Sequence, residues 1–261
     1  MSIIQTAERH SSKIPSDNVM HQRHMIAYDE ASKLIKGKVL EIGSGEGYGI
    51  EYLAPHAIQY HAIDKFVSNY QLNDSENSKV IFYKMKVPPL VNFENSIFDY
   101  VVSFQVIEHI EKDEFFLREI YRVLKPGGIL ILTTPNRNMS LTRNPWHIRE
   151  YTPSEIQKLF NKVFDSQDIK GVYGNQKVMD YYYANKLSIS KITRFDLLDL
   201  QHKLPRKLLQ IPYDILNRIN RNKLHKTNKE SVNQIILSDF YIDNINDNCF
   251  DFFIKAQKKI G

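Results

Sequence analysis

Glycine and carboxylate residues are concentrated where two apolar runs of the sequence end. Four of the ten glycines fall within residues 43–49, directly after the apolar run 38–42. Glycine lets a backbone turn tightly and approach a ligand without a clash at Cβ. Asp64 closes the next apolar run, 23 residues after Glu41, and a carboxylate there can accept hydrogen bonds from both hydroxyls of a ribose. The pattern predicts a site for a ribose-containing ligand; the alternative is an ordinary turn with a solvated aspartate.

Candidate proton acceptors come later in the chain. His109 follows residues 99–104, a very apolar run, and His147 and Glu150 follow the next such run. An alcohol that attacks as a nucleophile must lose its proton, and histidine, with a pKa near ~6.5, suits that task. The structural alternatives are a histidine that packs in a helical turn, for His109, and a rigid turn before the next helix, for the other two. Trp146 adds a flat surface beside them.

His21 and His24 have the i, i+3 spacing of a metal-binding pair. The nearest carboxylates, Asp29 and Glu30, are poorly spaced to complete a site, and the single cysteine, Cys249, is remote in sequence. We interpret the two histidines as a solvated helix face or as part of a lid over the ligand.

Apolar runs and helical patterns alternate along most of the chain. We predict strands at residues 38–42, 60–63, 80–83, 99–104, 129–133 and 249–255, and helices at 19–35, 50–53, 113–124 and 152–160. Residues 125–128, Lys-Pro-Gly-Gly, predict a hard stop and a turn. Strands that alternate with helices favour a parallel, doubly wound α/β sheet.

Residues 175–248 break this alternation and are mostly helical in pattern. Pro212 predicts a kink or a split in the longest helix. Residues 175–230 hold twelve Lys/Arg and five Asp/Glu, a local charge of +7 against −2 for the rest of the chain. Apolar residues share one helical face and basic residues lie off it: Leu204, Leu208, Ile211, Ile215 and Ile219 on the face, and Arg206, Lys207 and Arg218 beside it.

Composition excludes several classes of protein. The 261 residues are 42% hydrophobic and 25% charged, which is typical of globular chains and not of disordered or fibrous ones. No apolar run approaches the ~20 residues that span a bilayer. The first 13 residues lack the apolar core of a signal peptide, and one cysteine suits a reducing compartment, so we expect a cytoplasmic protein.

Four motifs, in this order, resemble those of the class I S-adenosylmethionine-dependent methyltransferases. They are VLEIGSGEG (39–47), AID (62–64), FDYVVSFQVIEHI (98–110) and YRVLKPGGILILTTPN (121–136). The resemblance covers about two-fifths of the chain. It implies a Rossmann-like, doubly wound, mostly parallel seven-stranded sheet, with S-adenosyl-L-methionine as the cofactor. Here we expect an N-terminal helical lid and a helical insertion before the last strand.

The resemblance also implies which residues meet the cofactor. Residues of the glycine loop would line its methionine side, Asp64 would hold the ribose with Lys65 alongside, and Gln105 would approach the reacting methyl. The residues on the methionine side would be Glu41, inside the strand, and Gly43, Ser44 and Gly45 of the loop. Residues 83–89 lack the acidic residue that family members usually place against adenine, and the apolar surface of Met85 is one replacement.

The motifs also bear on the acceptor and on metals. The Asn/Asp-Pro-Pro-Tyr motif that resembles a clamp for planar amines is absent after residue 104. Glu-His pairs like Glu108-His109 occur in metal-assisted quinone O-methyltransferases, but Gln105 stands where an upstream Glu helps to bind the metal there. We therefore predict no metal site.

We divide the chain into four parts by function. We expect an arm and lid helix at 1–36, the cofactor-binding methyltransferase core at 37–174, the basic insertion at 175–248 and the last strand at 249–261.

The predicted reaction is methyl transfer to an oxygen of a small molecule, a sugar or a lipid-linked glycan. A nucleic-acid or protein acceptor, a non-catalytic cofactor-binding protein and a nicotinamide dehydrogenase are the rivals. The basic insertion is either a plain cap over the acceptor, a surface for an anionic membrane at the inner face, or, with less support, a nucleic-acid surface.

Overall fold

One sheet of eight strands organises the protein in the computed structural model, which describes residues 14–66, 79–194, 196, 199–227 and 232–261. The strand order is β3-β2-β1-β4-β5-β8-β6-β7. The first five strands in chain order pair in parallel, and β8 runs antiparallel between β5 and β6. The strands are β1 Lys38–Ile42, β2 Gln59–Asp64, β3 Val80–Lys84, β4 Phe98–Phe104, β5 Leu124–Pro135, β6 Ser166–Gly174, β7 Phe240–Asn244 and β8 Asp251–Gln257.

The central strands are buried on both faces. Val39 and Leu40 of β1 are both fully buried, but they pack into different hydrophobic clusters on the two sides of the sheet. Successive strand residues point to opposite faces, so a strand covered by helices on both sides must be apolar throughout. That is why the continuous apolar runs of the sequence mark these strands correctly, and the predicted doubly wound α/β fold is confirmed.

Helices cover both faces of the sheet. Their bounds are α1 Asn18–Ser32, α2 Tyr48–Leu53, α3 Asp113–Val123, α4 Pro153–Phe160, α5 Gln176–Thr193, α6 Leu200–Lys203 and α7 Arg206–Thr227. In α3, Phe116, Ile120 and Val123 are buried at helical spacing. Helix α4 begins with a capping box between Thr152 and Glu155, so two backbone N–H groups of its first turn are satisfied by side chains.

Three sequence predictions differ from the structure. The sheet has eight strands instead of seven, and neither β6 nor β7, which pairs along the outer edge of β6, is among the strands located from the sequence. Residues 125–128 form a bulge within β5 rather than a separate turn: they oppose only Asp99 of β4, and Gly127 has a φ of +77°. The predicted stop is present, because α3 ends at Val123. Pro212 does not split α7, which is one helix of 22 residues; a kink at this proline, the other predicted outcome, stays a prediction.

The segment predicted as an insertion contains α5, α6, α7 and the edge strand β7. The C-terminal half of α7 is held to the core by a buried carboxylate, Asp17, which accepts hydrogen bonds from Arg218 and Arg221. Asn220, also buried, exchanges hydrogen bonds with Ser188 and with a second side chain of α5. The N-terminal arm before residue 14 lies outside the described residues. None of the helices in the described ranges is long and apolar enough to cross a bilayer.

Glu41 is a buried carboxylate in the middle of the fold. It is 2% exposed, and its two oxygens accept hydrogen bonds from the hydroxyls of Tyr28, at 3.2 Å, and Tyr60, at 2.9 Å. Burial raises the pKa of Glu41 from 4.5 to about 7, although the two tyrosine hydroxyls act in the opposite direction. The carboxylate also fills the space beside Gly49, where an added Cβ would lie 2.1 Å from its Oε1.

The raised pKa predicts a pH-dependent stability that Glu41→Gln removes. The folded protein holds this proton more tightly than the unfolded chain, so its stabilising contribution is complete below about pH 4.5 and is lost as the pH rises through about 7. As the pH rises from about 4.5 to 8, the wild type should therefore lose about 3 kcal/mol of unfolding free energy relative to Glu41→Gln. Urea titrations across this range measure it, with exposed Glu51→Gln as the control. A difference that does not change with pH would contradict the assignment.

Candidate active site

The glycine loop connects β1 to α2 and lies against the end of β4. Gly43 and Gly45 have φ values of +84° and +53°, a region that side-chain-bearing residues seldom adopt. A Cβ on Gly43 would lie 2.3 Å from Cγ2 of Val106, so only glycine lets the loop approach the residues that follow β4. Ser44 is buried, and among the described residues its hydroxyl has no hydrogen-bond partner.

Asp64 lies at the end of β2 and points toward this loop. Its Oδ2 accepts a hydrogen bond from the N–H of Gly45 at 2.9 Å, and its Oδ1 accepts one from the N–H of Phe66 at 2.8 Å. Lys65 is exposed beside it, with Nζ 5.0 Å from the centre of the Phe66 ring. A carboxylate and an unsatisfied hydroxyl therefore meet at one glycine loop, which fits a polar ligand such as a nucleoside with an amino-acid tail.

Glu41 does not lie on the surface of this loop. Its carboxylate is enclosed in the core by the two tyrosines described above, and it packs against the start of α2. A direct contact between Glu41 and the cofactor stays a prediction, and so does the role of Met85, which is half-buried and donates its backbone N–H to the carbonyl of Asp64 at 3.0 Å.

Gln105 follows β4 in a left-handed backbone conformation, with φ of +56°. Its side-chain Nε2 lies 3.3 Å from both Oγ1 of Thr133 and Oδ1 of Asp251, two hydrogen bonds at the long end of the range. Asp251 is 1% exposed and forms an ion pair with Arg23 of α1 through both of its oxygens. Strained backbone at a strand end is typical of functional positions. Arg23 and Asp251 were not found by sequence analysis, because no spacing connects residues 228 positions apart.

A cavity of about 690 Å³ opens beside Gln105. It lies between the carboxyl-terminal ends of β4 and β5 on one side and helices α5, α6 and α7 on the other. Apolar atoms make up most of its lining. One group of polar side chains lies near the strand ends, here called the polar end, and includes Arg23, Gln105, Glu108, His109, His147 and Glu150. Further polar side chains come from α5 and α7, among them Asn185, Asn217 and Arg221, and the apolar lining includes Leu141, Leu204, Leu208, Leu209, Leu216 and Phe250.

The structure brings the three predicted catalytic residues together at the polar end of the cavity. The rings of His109 and His147 are 4.9 Å apart, edge to face. His147 Nδ1 lies 2.6 Å from Oε1 of Glu150, and both side chains are about one-tenth exposed. His109 Nδ1 lies 3.1 Å from the carbonyl oxygen of Trp146, which can only accept, so Nδ1 carries the proton and Nε2 carries the lone pair.

Glu108 is a further member of this cluster that sequence analysis considered only as a metal ligand. It is fully buried, its Oε2 accepts a hydrogen bond from Thr134 Oγ1 at 2.9 Å, and its Oε1 has no hydrogen-bond partner among the described residues. Burial raises the pKa of Glu108, and the neighbouring charges of His109 and His147 oppose that rise. The signal in the sequence was its place in the Glu-His pair next to the most apolar strand.

The same cluster has the composition of a metal site. Glu108, His109 and His147 each offer one ligand atom, and these atoms lie within 4.8 Å of one another. His21 and His24 are elsewhere: His21 packs its ring against Tyr48 at the start of α2, and His24 lines the cavity. The absence of a metal, as the sequence analysis expects it, stays a prediction.

Comparison with known proteins identifies the family of the core. The family profile described as "Methyltransferase domain" matches residues 40–132. A protein of Mycolicibacterium smegmatis, named a probable S-adenosylmethionine-dependent methyltransferase, is 31% identical over 175 residues, which cover 64% of this chain and 68% of that protein. A relative from Mycobacterium tuberculosis with the same description is 34% identical over 160 residues; the match covers 59% of this chain and 58% of the relative, less than two thirds of its length.

A third relative carries a more specific name. The ubiquinone biosynthesis O-methyltransferase of Rickettsia typhi is 24% identical over 184 residues, covering 62% of this chain and 73% of that protein. Among solved structures, an S-adenosylmethionine-dependent methyltransferase of Thermotoga maritima matches with a TM-score of 0.53 at 15% identity, over 92% of this chain and 91% of that one. That likeness shows the fold. With the sequence relatives, it shows that the chain belongs to the class I S-adenosylmethionine-dependent methyltransferases.

Proposed function

We propose that this methyltransferase acts on an oxygen of a small amphiphilic molecule, a class that includes sugars and glycans linked to lipids. The observation that carries the proposal is the cluster of His109, His147 and Glu150 at the polar end of a mostly apolar cavity. An oxygen nucleophile needs a proton acceptor, and an apolar cavity with a few convergent polar groups is typical of small-molecule sites.

The loop side of the site would hold S-adenosylmethionine, which supplies an electrophilic methyl group on a sulfonium. In this proposal the backbone of Gly43 and Gly45 and the hydroxyl of Ser44 hold its amino-acid end, and Asp64 accepts hydrogen bonds from its ribose. Gln105 lies between this side and the cavity. Because displacement at a methyl group needs an in-line arrangement, most of the work of these residues is positioning.

His109 is the proposed general base. Its Nδ1 donates to the carbonyl of Trp146, and the lone pair on Nε2 can accept the proton of an acceptor hydroxyl. His147 and Glu150 form a second donor–acceptor pair, and the ring of His147 contacts that of His109. As the acceptor loses its proton, the imidazolium at His109 is stabilised by the carboxylates of Glu108 and Glu150.

Two further observations support a small acceptor and an oxygen atom. Helices α5, α6 and α7 cover the cavity, which favours a molecule that fits inside over the surface of a nucleic acid or a protein. The relative from Rickettsia typhi is named an O-methyltransferase, and its match covers 62% of this chain.

Product analysis tests the proposed acceptor. The protein is incubated with methyl-tritiated S-adenosylmethionine and either a total lipid extract or a water-soluble extract of the cells that express it. We expect labelled product in the lipid extract, and the chemical shift of an isotope-labelled methyl group should be that of an O-methyl. Product confined to the water-soluble extract would overturn the amphiphile, and an N-methyl or C-methyl would overturn the oxygen.

Asp64→Asn is predicted to weaken cofactor binding. Loss of charge-assisted hydrogen bonds should reduce the binding free energy of S-adenosylhomocysteine by about 1–3 kcal/mol, as measured by calorimetry. Asp165→Asn, at an exposed position away from the loop, is the matched control and should bind like the wild type. Unchanged binding by Asp64→Asn would show that the ribose is held elsewhere.

His109→Gln is predicted to lower turnover by about 10²–10⁴-fold while S-adenosylhomocysteine binds as in the wild type. His147→Gln should have a smaller effect, because it acts through His109. Exposed His56→Gln is the control. A chelator should leave the wild-type rate unchanged; if the rate falls and Mg²⁺ or Zn²⁺ restores it, the cluster binds a metal and the general-base assignment is wrong.

A further inference from the structure

Helix α7 carries a row of exposed apolar side chains. Leu208, Ile211, Ile215 and Ile219 are 64%, 72%, 55% and 57% exposed. Their spacing of three and four residues places them on one face of the helix, over a length of about 16 Å. The opposite face is the one that packs, through buried Asn220 and Leu224. This apolar face has no partner among the described residues.

Exposed lysines stand at both ends of the apolar face. Lys203 and Lys207 precede it, and Lys223 and Lys226 follow it. The one acidic residue in the sequence of α7, Asp214, is half-buried and accepts a hydrogen bond from Nε1 of Trp146 at 2.9 Å. The exposed charge along α7 is therefore positive.

Two basic residues that the sequence places beside this face are not available to a surface. Arg206 donates to the carbonyl of His147 at 3.2 Å, and Arg218 donates to buried Asp17 at 2.8 Å. Both arginines hold α7 to the rest of the protein, and the exposed positive charge belongs to the lysines.

We propose that α7 lies flat on an anionic membrane surface, with its apolar face in the boundary between headgroups and acyl chains. A helix with an exposed apolar face and flanking lysines is suited to this position, and each lysine near the surface adds to the attraction. A second copy of the chain is a poorer occupant, because pairing two such faces would bring the lysines of one copy against those of the other.

Docking of α7 on a membrane would also bring the rim of the cavity to the membrane surface. Leu208, Pro212 and Leu216 line the cavity and are exposed as well, so the rim of the cavity is part of the face that meets the membrane. An amphiphile could pass from the bilayer to His109 without exposing its apolar part to water. This second step rests on the proposed function, whereas docking itself requires no methyl transfer.

Vesicle co-sedimentation of the full chain tests docking. We expect binding to vesicles of phosphatidylcholine with phosphatidylglycerol, and little to phosphatidylcholine alone. Binding should weaken as salt is raised, because the Debye length falls from about 8 Å at physiological ionic strength to about 3 Å at 1 M.

Two double variants separate charge from apolar contact. Lys207→Glu with Lys223→Glu should weaken binding by about tenfold or more. The control, Lys36→Glu with Lys158→Glu, changes the net charge equally at exposed positions outside α7.

Ile211→Ser with Ile215→Ser should also weaken binding. Its control is Ile58→Ser with Val91→Ser, at positions where the wild-type side chains are 81% and 72% exposed. None of these side chains lines the cavity, so cofactor affinity should not change in any of the variants.

Three results would overturn the proposal. These are the absence of binding to either vesicle, equal binding to neutral and anionic vesicles, and equal losses in the α7 variants and their controls. A concentration-dependent dimer that Ile211→Ser with Ile215→Ser disrupts would assign the face to a second copy instead. Because S-adenosylhomocysteine binding is measured in solution, a failure of docking is distinguishable from a failure of the proposed function.

Discussion

The buried ion pair between Arg23 and Asp251 joins the first helix to the last strand at the edge of the sheet where the site lies. Oδ1 of Asp251 also accepts a hydrogen bond from the amide of Gln105, so one carboxylate connects helix α1, strand β8 and a residue that lines the cavity. A buried charge without its partner costs about 3–5 kcal/mol. These three parts of the structure are therefore coupled, and none can shift alone without leaving a charge or an amide unsatisfied.

The remaining geometry follows from the direction of the strands. Because β1, β2, β4 and β5 are parallel, their carboxyl ends meet at one edge, and the loops after them bring the glycine loop, Asp64, Gln105 and the histidine cluster together. The insertion adds α5, α6 and α7 over that edge. In the proposed function the common fold supplies the cofactor side and the added helices shape the acceptor side, which is where members of one fold family differ in function.

The sequence predicts what short-range physics determines. Apolar runs mark β1 and β4, the Thr152–Glu155 spacing marks the start of α4, and strand-end positions bring His109 and His147 to one cluster. It does not predict what depends on distant partners. The orientation of Glu41 is set by two tyrosines, and the left-handed backbone at Gln105 is not marked by a glycine. Strand β7 pairs with β6, a segment far from it in sequence.

The Arg23–Asp251 pair also has a consequence for biosynthesis. A ribosome that adds about 5–20 residues per second needs roughly 10 to 50 s to travel the 228 positions between them. Throughout that interval Arg23 has no counter-charge in the sheet, and β5, once it has been made, lacks its antiparallel neighbour β8 until residues 251–257 follow. The glycine loop and Asp64 are complete long before. Nascent chains thus pass through a stage in which the glycine loop and Asp64 have been synthesised while the edge of β5 is still unpaired, and an unpaired edge is a ready template for contact with another chain.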